Sequence, residues 1–202
     1  MSSNIEIEAK VLLLKDEYNA IIETLNLQKY RKIKQTNHYI DTPDRYLKKN
    51  GIALRIREKD EEFELTLKTP LSEGLLEKNE NISWRDFENL SERQIFPDGN
   101  IRKFLLILGV KVSDLKVLTS LCTERIHVEF EGFGLALDKN IYSNIVDYEL
   151  EVESSSIERA QQEIENILNE CDIKNFSFNK VSKQARALHA LEKERWIKWK
   201  TY

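Results

Sequence analysis

The sequence predicts an α+β chain built on an antiparallel sheet of about eight strands, enough to close into a β-barrel, with helices on one wall. Three observations predict it. Apolar and polar residues alternate over one segment after another, as strands with two unlike faces require. Connections such as Glu58-Lys59-Asp60-Glu61 and Glu131-Gly132-Phe133-Gly134 are too short for parallel crossovers and suit hairpins. Amphipathic helical stripes lie between and after the strands and can cover one face of the sheet.

Taken in order, period-2 alternation marks strands at about residues 4–14, 31–41, 52–58, 61–69, 75–84, 116–131, 133–138 and 143–153. Tyr18, Ile21, Ile22 and Leu25 recur at helical spacing after the first strand. Ile101, Phe104, Leu105 and Leu108 do so after the fifth. Ser155 and Glu158 form a capping-box pattern ahead of Ile157, Ala160, Ile164, Ile167 and Leu168. A last helix, over about 181–200, carries Ala185, Leu188 and Leu191 and then Trp196 and Trp199. It is expected to lie on the barrel, and its apolar stripe is compatible with a homodimer. With 6 Gly and 3 Pro and no linker-like stretch, the 202 residues are expected to form a single domain, 1–202.

Composition narrows the function. The 31 basic and 35 acidic residues nearly cancel, which argues against a nucleic-acid groove. Cys122 and Cys171 are far apart, with no metal-ligand spacing, as in a reducing compartment. No apolar run is long enough for a membrane span or a signal peptide, so a cytoplasmic protein with no membrane partner is expected. No Gly-rich phosphate loop is present, and Gly132-Phe133-Gly134 lacks the context of a dinucleotide fold. Any phosphate must be met by side chains.

Those side chains stand in rows. Glu6, Glu8 and Lys10 share one strand face, opposite Ile5, Ile7 and Ala9. Arg55 and Arg57 oppose Leu54 and Ile56. Glu64, Thr66 and Lys68 oppose Phe63, Leu65 and Leu67. Arg125, His127 and Glu129 oppose Ile126, Val128 and Phe130, while Asp147, Glu149, Glu151 and Glu153 oppose Tyr148, Leu150 and Val152. Carboxylates gather in the first and last strands and cations in the middle ones. Oxygen ligands suit a hard divalent cation, and Arg and Lys suit phosphate oxygens. Periodicity fits two arrangements equally: apolar rows inside and charges in water, or helices over an apolar outer wall and charges within.

Glu6-Ile7-Glu8-Ala9-Lys10 resembles the ExExK signature of the CYTH superfamily, the triphosphate tunnel metalloenzymes. The resemblance continues through Tyr39-Ile40-Asp41-Thr42-Pro43, Gly51-Ile52-Ala53-Leu54-Arg55-Ile56-Arg57 and Glu64-Leu65-Thr66-Leu67-Lys68. It resumes at Arg125, Leu137-Asp138, Tyr148-Glu149-Leu150-Glu151 and Ser182-Lys183. The set runs in family order and is most similar to the bacterial YjbK-like branch. It implies an eight-stranded antiparallel barrel forming a tunnel with a charged interior, its outer wall covered by helices. It also implies metal-dependent hydrolysis of a triphosphate, with Mg²⁺ or Mn²⁺ as cofactor. Glu6, Glu8, Glu149, Glu151 and Asp138 would be metal ligands. Lys10, Arg55, Arg57, Lys68, Arg125 and Lys183 would bind phosphate, and Glu6, Glu8 and Lys10 would be catalytic.

Around that set, Glu64, Glu77 and Glu129 share its parity without a defined role, and Glu153 is expected at the rim. His38 and His127 are expected as wall residues. Tyr39, Asp41 and Pro43 are expected to shape a strand end and turn, and Trp196 and Trp199 to pack on the barrel or a partner. Two rival functions use the same rows: a class IV-type adenylate cyclase making cyclic AMP and pyrophosphate from ATP, and a polyphosphate or nucleotide binder without turnover. The rows do not separate inorganic triphosphate from an organic one.

Overall fold

The computed structural model describes residues 2–72 and 75–200, and within these the side chains of 7–72 and 75–193. In chain order the elements are β1 (Ser2–Glu6), β2 (Glu8–Leu13), α1 (Lys15–Thr24), β3 (Lys32–Asp41), α2 (Tyr46–Lys49), β4 (Ala53–Lys59), β5 (Glu62–Pro70), β6 (Leu75–Ile82) and α3 (Trp84–Arg93). They continue with α4 (Asn100–Ile107), β7 (Lys116–Phe130), β8 (Phe133–Tyr142), β9 (Ile145–Ser154), α5 (Ile157–Glu170) and α6 (Lys183–Lys200). The chain divides into two compact units, each assembled from separate stretches. One is Met1–Glu6, Gln35–Leu121 and Lys183–Tyr202, and the other is Ile7–Lys34 and Cys122–Ser182.

In the first unit, β6 pairs with β1 on one side and β5 on the other, followed by β4 and β3, all antiparallel. Leu54, Ile56, Leu65 and Leu67 form one face of this sheet. They are covered by Leu47 of α2, Leu90 of α3, and Ile101 and Leu105 of α4. In the second unit the order is β7, β8, β9, β2, again antiparallel. Here Val11, Ile126, Val128, Leu137, Leu150 and Val152 meet Tyr18 and Ile21 of α1 and Ala160, Ile164, Ile167 and Leu168 of α5. The helices therefore sit on the apolar face in both units, which settles the choice that periodicity left open. Part of the opposite, polar face is also withdrawn from water: Asn37, Thr66, Asp138, Asn140 and Glu149 are each at most 1% exposed.

Several elements differ from expectation. The N-terminal strand is two strands, because its halves take different partners: Ser2–Glu6 runs along β6, and Glu8–Leu13 along β9. Ile7 stands between them, its carbonyl accepting from the Ser154 amide at 3.1 Å. Alternation continues through such a switch, so the pattern alone cannot reveal it. Helix α5 is capped by Ser156, whose hydroxyl accepts from the Arg159 amide, and not by Ser155. Helix α6 begins at Lys183 rather than 181. Helix α3 has no counterpart among the expected elements and is started by a reciprocal cap between Ser83 and Asp86. Trp196 and Trp199 lie outside the residues whose side chains are described.

Candidate active site

The acidic residues of the second unit converge through strand register. Arg125 stands opposite Asp138, which stands opposite Glu149. In the next row Glu151 pairs with Lys10, and in the next Glu153 pairs with Glu8. Alternate residues of β7, β8, β9 and β2 thus point one way, and the apolar rows on α1 and α5 hold that orientation. Carboxylate oxygens of Asp138, Glu149 and Glu151 lie within 4.8 Å of one another. Asp138 and Glu149 are wholly buried and Glu151 is 8% exposed.

One guanidinium organises this group. Arg125 donates from Nε to Asp138 Oδ1 at 2.7 Å, and from Nη2 to Asp138 Oδ2 at 2.6 Å and Glu151 Oε2 at 2.5 Å. Burial works against its charge, but Asp138, Glu151 and Glu8 outweigh that and hold it protonated well above the usual range. Lys10 Nζ donates to Glu8 Oε1 at 2.5 Å and lies 3.9 Å from Glu151. Asp138, Glu149 and Glu151 form an all-oxygen donor set, with Arg125 bonded to two of the three. That donor set fits a hard divalent cation. Glu6, the remaining sequence candidate for the metal, has a side chain outside the described residues.

The basic residues of the first unit follow the same logic. On the polar face, Arg57 stands opposite Asn37 and Glu64, and Arg55 opposite Tyr39 and Thr66. Lys68 stands opposite Ala53 and Glu77. Lys68 Nζ meets Glu77 Oε2 at 2.9 Å. Burial of Glu77 is overcome by Lys68, Asn79 and Arg55, which hold its carboxyl down at about 2. Tyr39 is 4% exposed. Its burial raises the hydroxyl pKa, against the opposing pull of Arg55, Lys183, Arg186 and Arg57. Four cations therefore act on one buried phenol, and Arg186, one turn beyond Lys183 on α6, is a cation that the strand rows gave no means of finding.

The remaining candidates separate. His38 is on the apolar side: Nδ1 is 2.8 Å from Ser120 Oγ, Nε2 is 3.2 Å from Glu58, and the ring lies against Phe87. Burial lowers its pKa, as suits a neutral wall residue. His127 pairs with the exposed Glu129. Glu153 is exposed, as a rim position should be. Asp41 is a backbone anchor, accepting from the amides of Thr42, Leu47 and Lys48.

Comparison with known proteins gives this arrangement a context. A family model described as CYTH domain matches residues 4–184. The chain is 35% identical over 173 residues to a Bacillus subtilis protein named "Putative triphosphatase YjbK", covering 86% of this chain and 90% of that one. A crystal structure of a "putative adenylate cyclase" from Bacillus halodurans superposes with a TM-score of 0.81 at 37% identity, over 90% of this chain and 97% of that one. A Hippeastrum protein, a "putative adenylyl cyclase" whose structure is said to reveal a dominant triphosphatase activity, superposes with a TM-score of 0.71. It is 25% identical over 90% of this chain and 94% of that one. No helix among the described residues is long and apolar enough to cross a membrane. The antiparallel strands, the helix-covered apolar faces and the match over almost the whole length agree, and the chain belongs to the CYTH domain family.

Proposed function

We propose that the protein is a metal-dependent triphosphatase. The observation that carries this reading is the buried group of Asp138, Glu149 and Glu151, whose oxygens lie within 4.8 Å of one another. Buried carboxylates this close together repel one another, and a divalent cation between them would relieve that repulsion. Mg²⁺ or Mn²⁺ would be held by these three together with Glu6 and Glu8. Bound there, it would supply Lewis-acid polarisation of phosphate oxygens and a water made more acidic.

The chain's own residues do the rest. Arg55 and Arg57 present guanidinium forks, and Lys68 and Lys183 present point charges, to the acceptor oxygens of the triphosphate. Arg125 and Lys10, each charged against a carboxylate, would serve as further phosphate ligands. Their contribution is positioning and neutralisation of charge developing on equatorial and leaving oxygens, with no covalent intermediate on the protein. Glu8, bonded to Lys10, sets that ammonium's orientation.

The test is a panel of inorganic triphosphate, thiamine triphosphate and ATP with Mg²⁺ and Mn²⁺ across neutral and alkaline pH. Metal-dependent release of orthophosphate is expected. Cyclic nucleotide with pyrophosphate would instead support cyclase chemistry, and tight binding with no product would support a sensor.

A further inference from the structure

We infer that Thr66 is a further phosphate-binding residue, its hydroxyl donating to the phosphoryl group that Arg55 Nε meets; this rests on the triphosphatase reading. The polar face of the first unit has three adjacent rows, set by register. Arg57 stands with Asn37 and Glu64 in one outer row, and Lys68 with Glu77 in the other. The middle row is Tyr39, Arg55, Thr66 and Asn79, on β3, β4, β5 and β6.

The outer rows hold internal partners. Arg57 Nε reaches Asn37 Oδ1 at 3.5 Å and its Nη1 lies 3.9 Å from Glu64, while Lys68 is 2.9 Å from Glu77. The middle row differs. Arg55 Nε, Thr66 Oγ1 and Asn79 Oδ1 are all buried atoms with no hydrogen-bond partner among the described residues. Thr66 is 1% exposed, so its hydroxyl cannot simply turn to bulk water. An isolated unsatisfied buried hydroxyl costs about 1–3 kcal/mol, and such atoms are rare in folded proteins. Two unsatisfied donors directly opposite one another on neighbouring strands, flanked by Arg57 and Lys68, suit a multivalent acceptor carrying negative charge.

The three atoms do not share one role. Asn79 Nδ2 donates to Glu77 Oε1 at 2.8 Å, and Glu77 is ionised at neutral pH. Turning the amide over would set Oδ1 against that carboxylate, so Oδ1 must present an acceptor to the row. An ionised phosphate is itself acceptor-only. Asn79 is therefore a positioning residue for Glu77 and, through it, Lys68. Thr66, which can donate, is the phosphate contact.

The test is calorimetric titration of the full chain with inorganic triphosphate, first in EDTA and then with Mg²⁺, alongside thermal melts in phosphate-free buffer. Thr66→Val keeps the shape and removes the donor. It should weaken triphosphate binding by roughly tenfold while leaving the melting midpoint unchanged or higher, and Thr66→Ser should bind like wild type. Wild-type affinity in Thr66→Val would mean that water alone satisfies the hydroxyl, and the inference fails. A lowered midpoint together with weakened binding in Thr66→Val would make the hydroxyl structural and overturn it too. Absence of binding by the wild type even with Mg²⁺ would instead overturn the triphosphatase reading, and this inference with it.

Discussion

Asp138 and Glu149 are both fully buried, yet they should answer differently to loss of charge. Asp138 holds Arg125 through two hydrogen bonds, so Asp138→Asn breaks a bidentate pair inside the protein. The expected cost is on the order of 3 kcal/mol, visible in urea denaturation. Glu149→Gln keeps the volume and gives up a negative charge from a crowded carboxylate group. It should cost less than Asp138→Asn but lower metal-dependent turnover by roughly a hundredfold, as loss of a metal-site interaction does. The opposite ranking in stability would contradict the role given to Asp138. Glu77 makes a pH prediction. Its folded carboxyl titrates at about 2, against an ordinary 4.5. Above the ordinary value both states are ionised and the stabilisation is complete. As pH falls from 4.5 toward 2 the unfolded chain takes up the proton first, and the stabilisation is lost. The stability gap between wild type and Glu77→Gln should be flat above pH 5, roughly 2–3 kcal/mol, and should close on acidification. A gap that persists at pH 2 would show that the Lys68 pair is not its source. Glu64, Glu77 and Glu129 each stand on the charged face of their own strand. Only tertiary pairing shows that Glu77 is locked to Lys68 while Glu129 is exposed with His127.

At the scale of elements, helix starts are where side chains decide most. Glu80 on β6 reaches the start of α4, its carboxylate accepting from the Asn100 amide at 2.7 Å and the Ile101 amide at 3.1 Å. It meets two of the amides that a helix N-terminus leaves unsatisfied, and its charge suits the helix dipole. A Cβ at Gly99 would stand 2.6 Å from Glu80 Oε2. Glu80→Ala should therefore cost about 1–2 kcal/mol, and Gly99→Ala should lower the melting midpoint by displacing the same carboxylate. If both variants melt with wild type, Glu80 does not anchor α4. The cap of α4 comes from a residue 20 positions away, so no local pattern announces it. Helix α3 was missed for a different reason. Its cap uses Asp86 where Glu or Gln would be recognised, and its sequence, Trp84 to Arg93, is mostly polar. The strands were readable because alternation is a local property and their turns are short. The break at Ile7 was not, because a partner switch leaves alternation untouched.

For the whole molecule, metal binding should be visible without any turnover. A ligand held only by the folded state adds about 2.7 kcal/mol at a hundred times its dissociation constant. Mn²⁺ or Mg²⁺ should accordingly raise the melting midpoint of the wild type, and Glu149→Gln should remove that rise. A full shift retained in Glu149→Gln would move the cation away from Asp138, Glu149 and Glu151. Alternation alone places the strands, apart from the break at Ile7, and assigns residues to the two chemical faces of each. Those properties follow from the two-residue period of the backbone and need no knowledge of partners. Tertiary structure decided which face the helices cover and where the N-terminal strand changes partner. It also decided that Arg125 closes on Asp138 and Glu151, and that Arg55 Nε and Thr66 Oγ1 share a row, each without a hydrogen-bond partner among the described residues. These depend on the register of paired strands and on which strands pair, where a shift of one residue would turn every side chain to the other face.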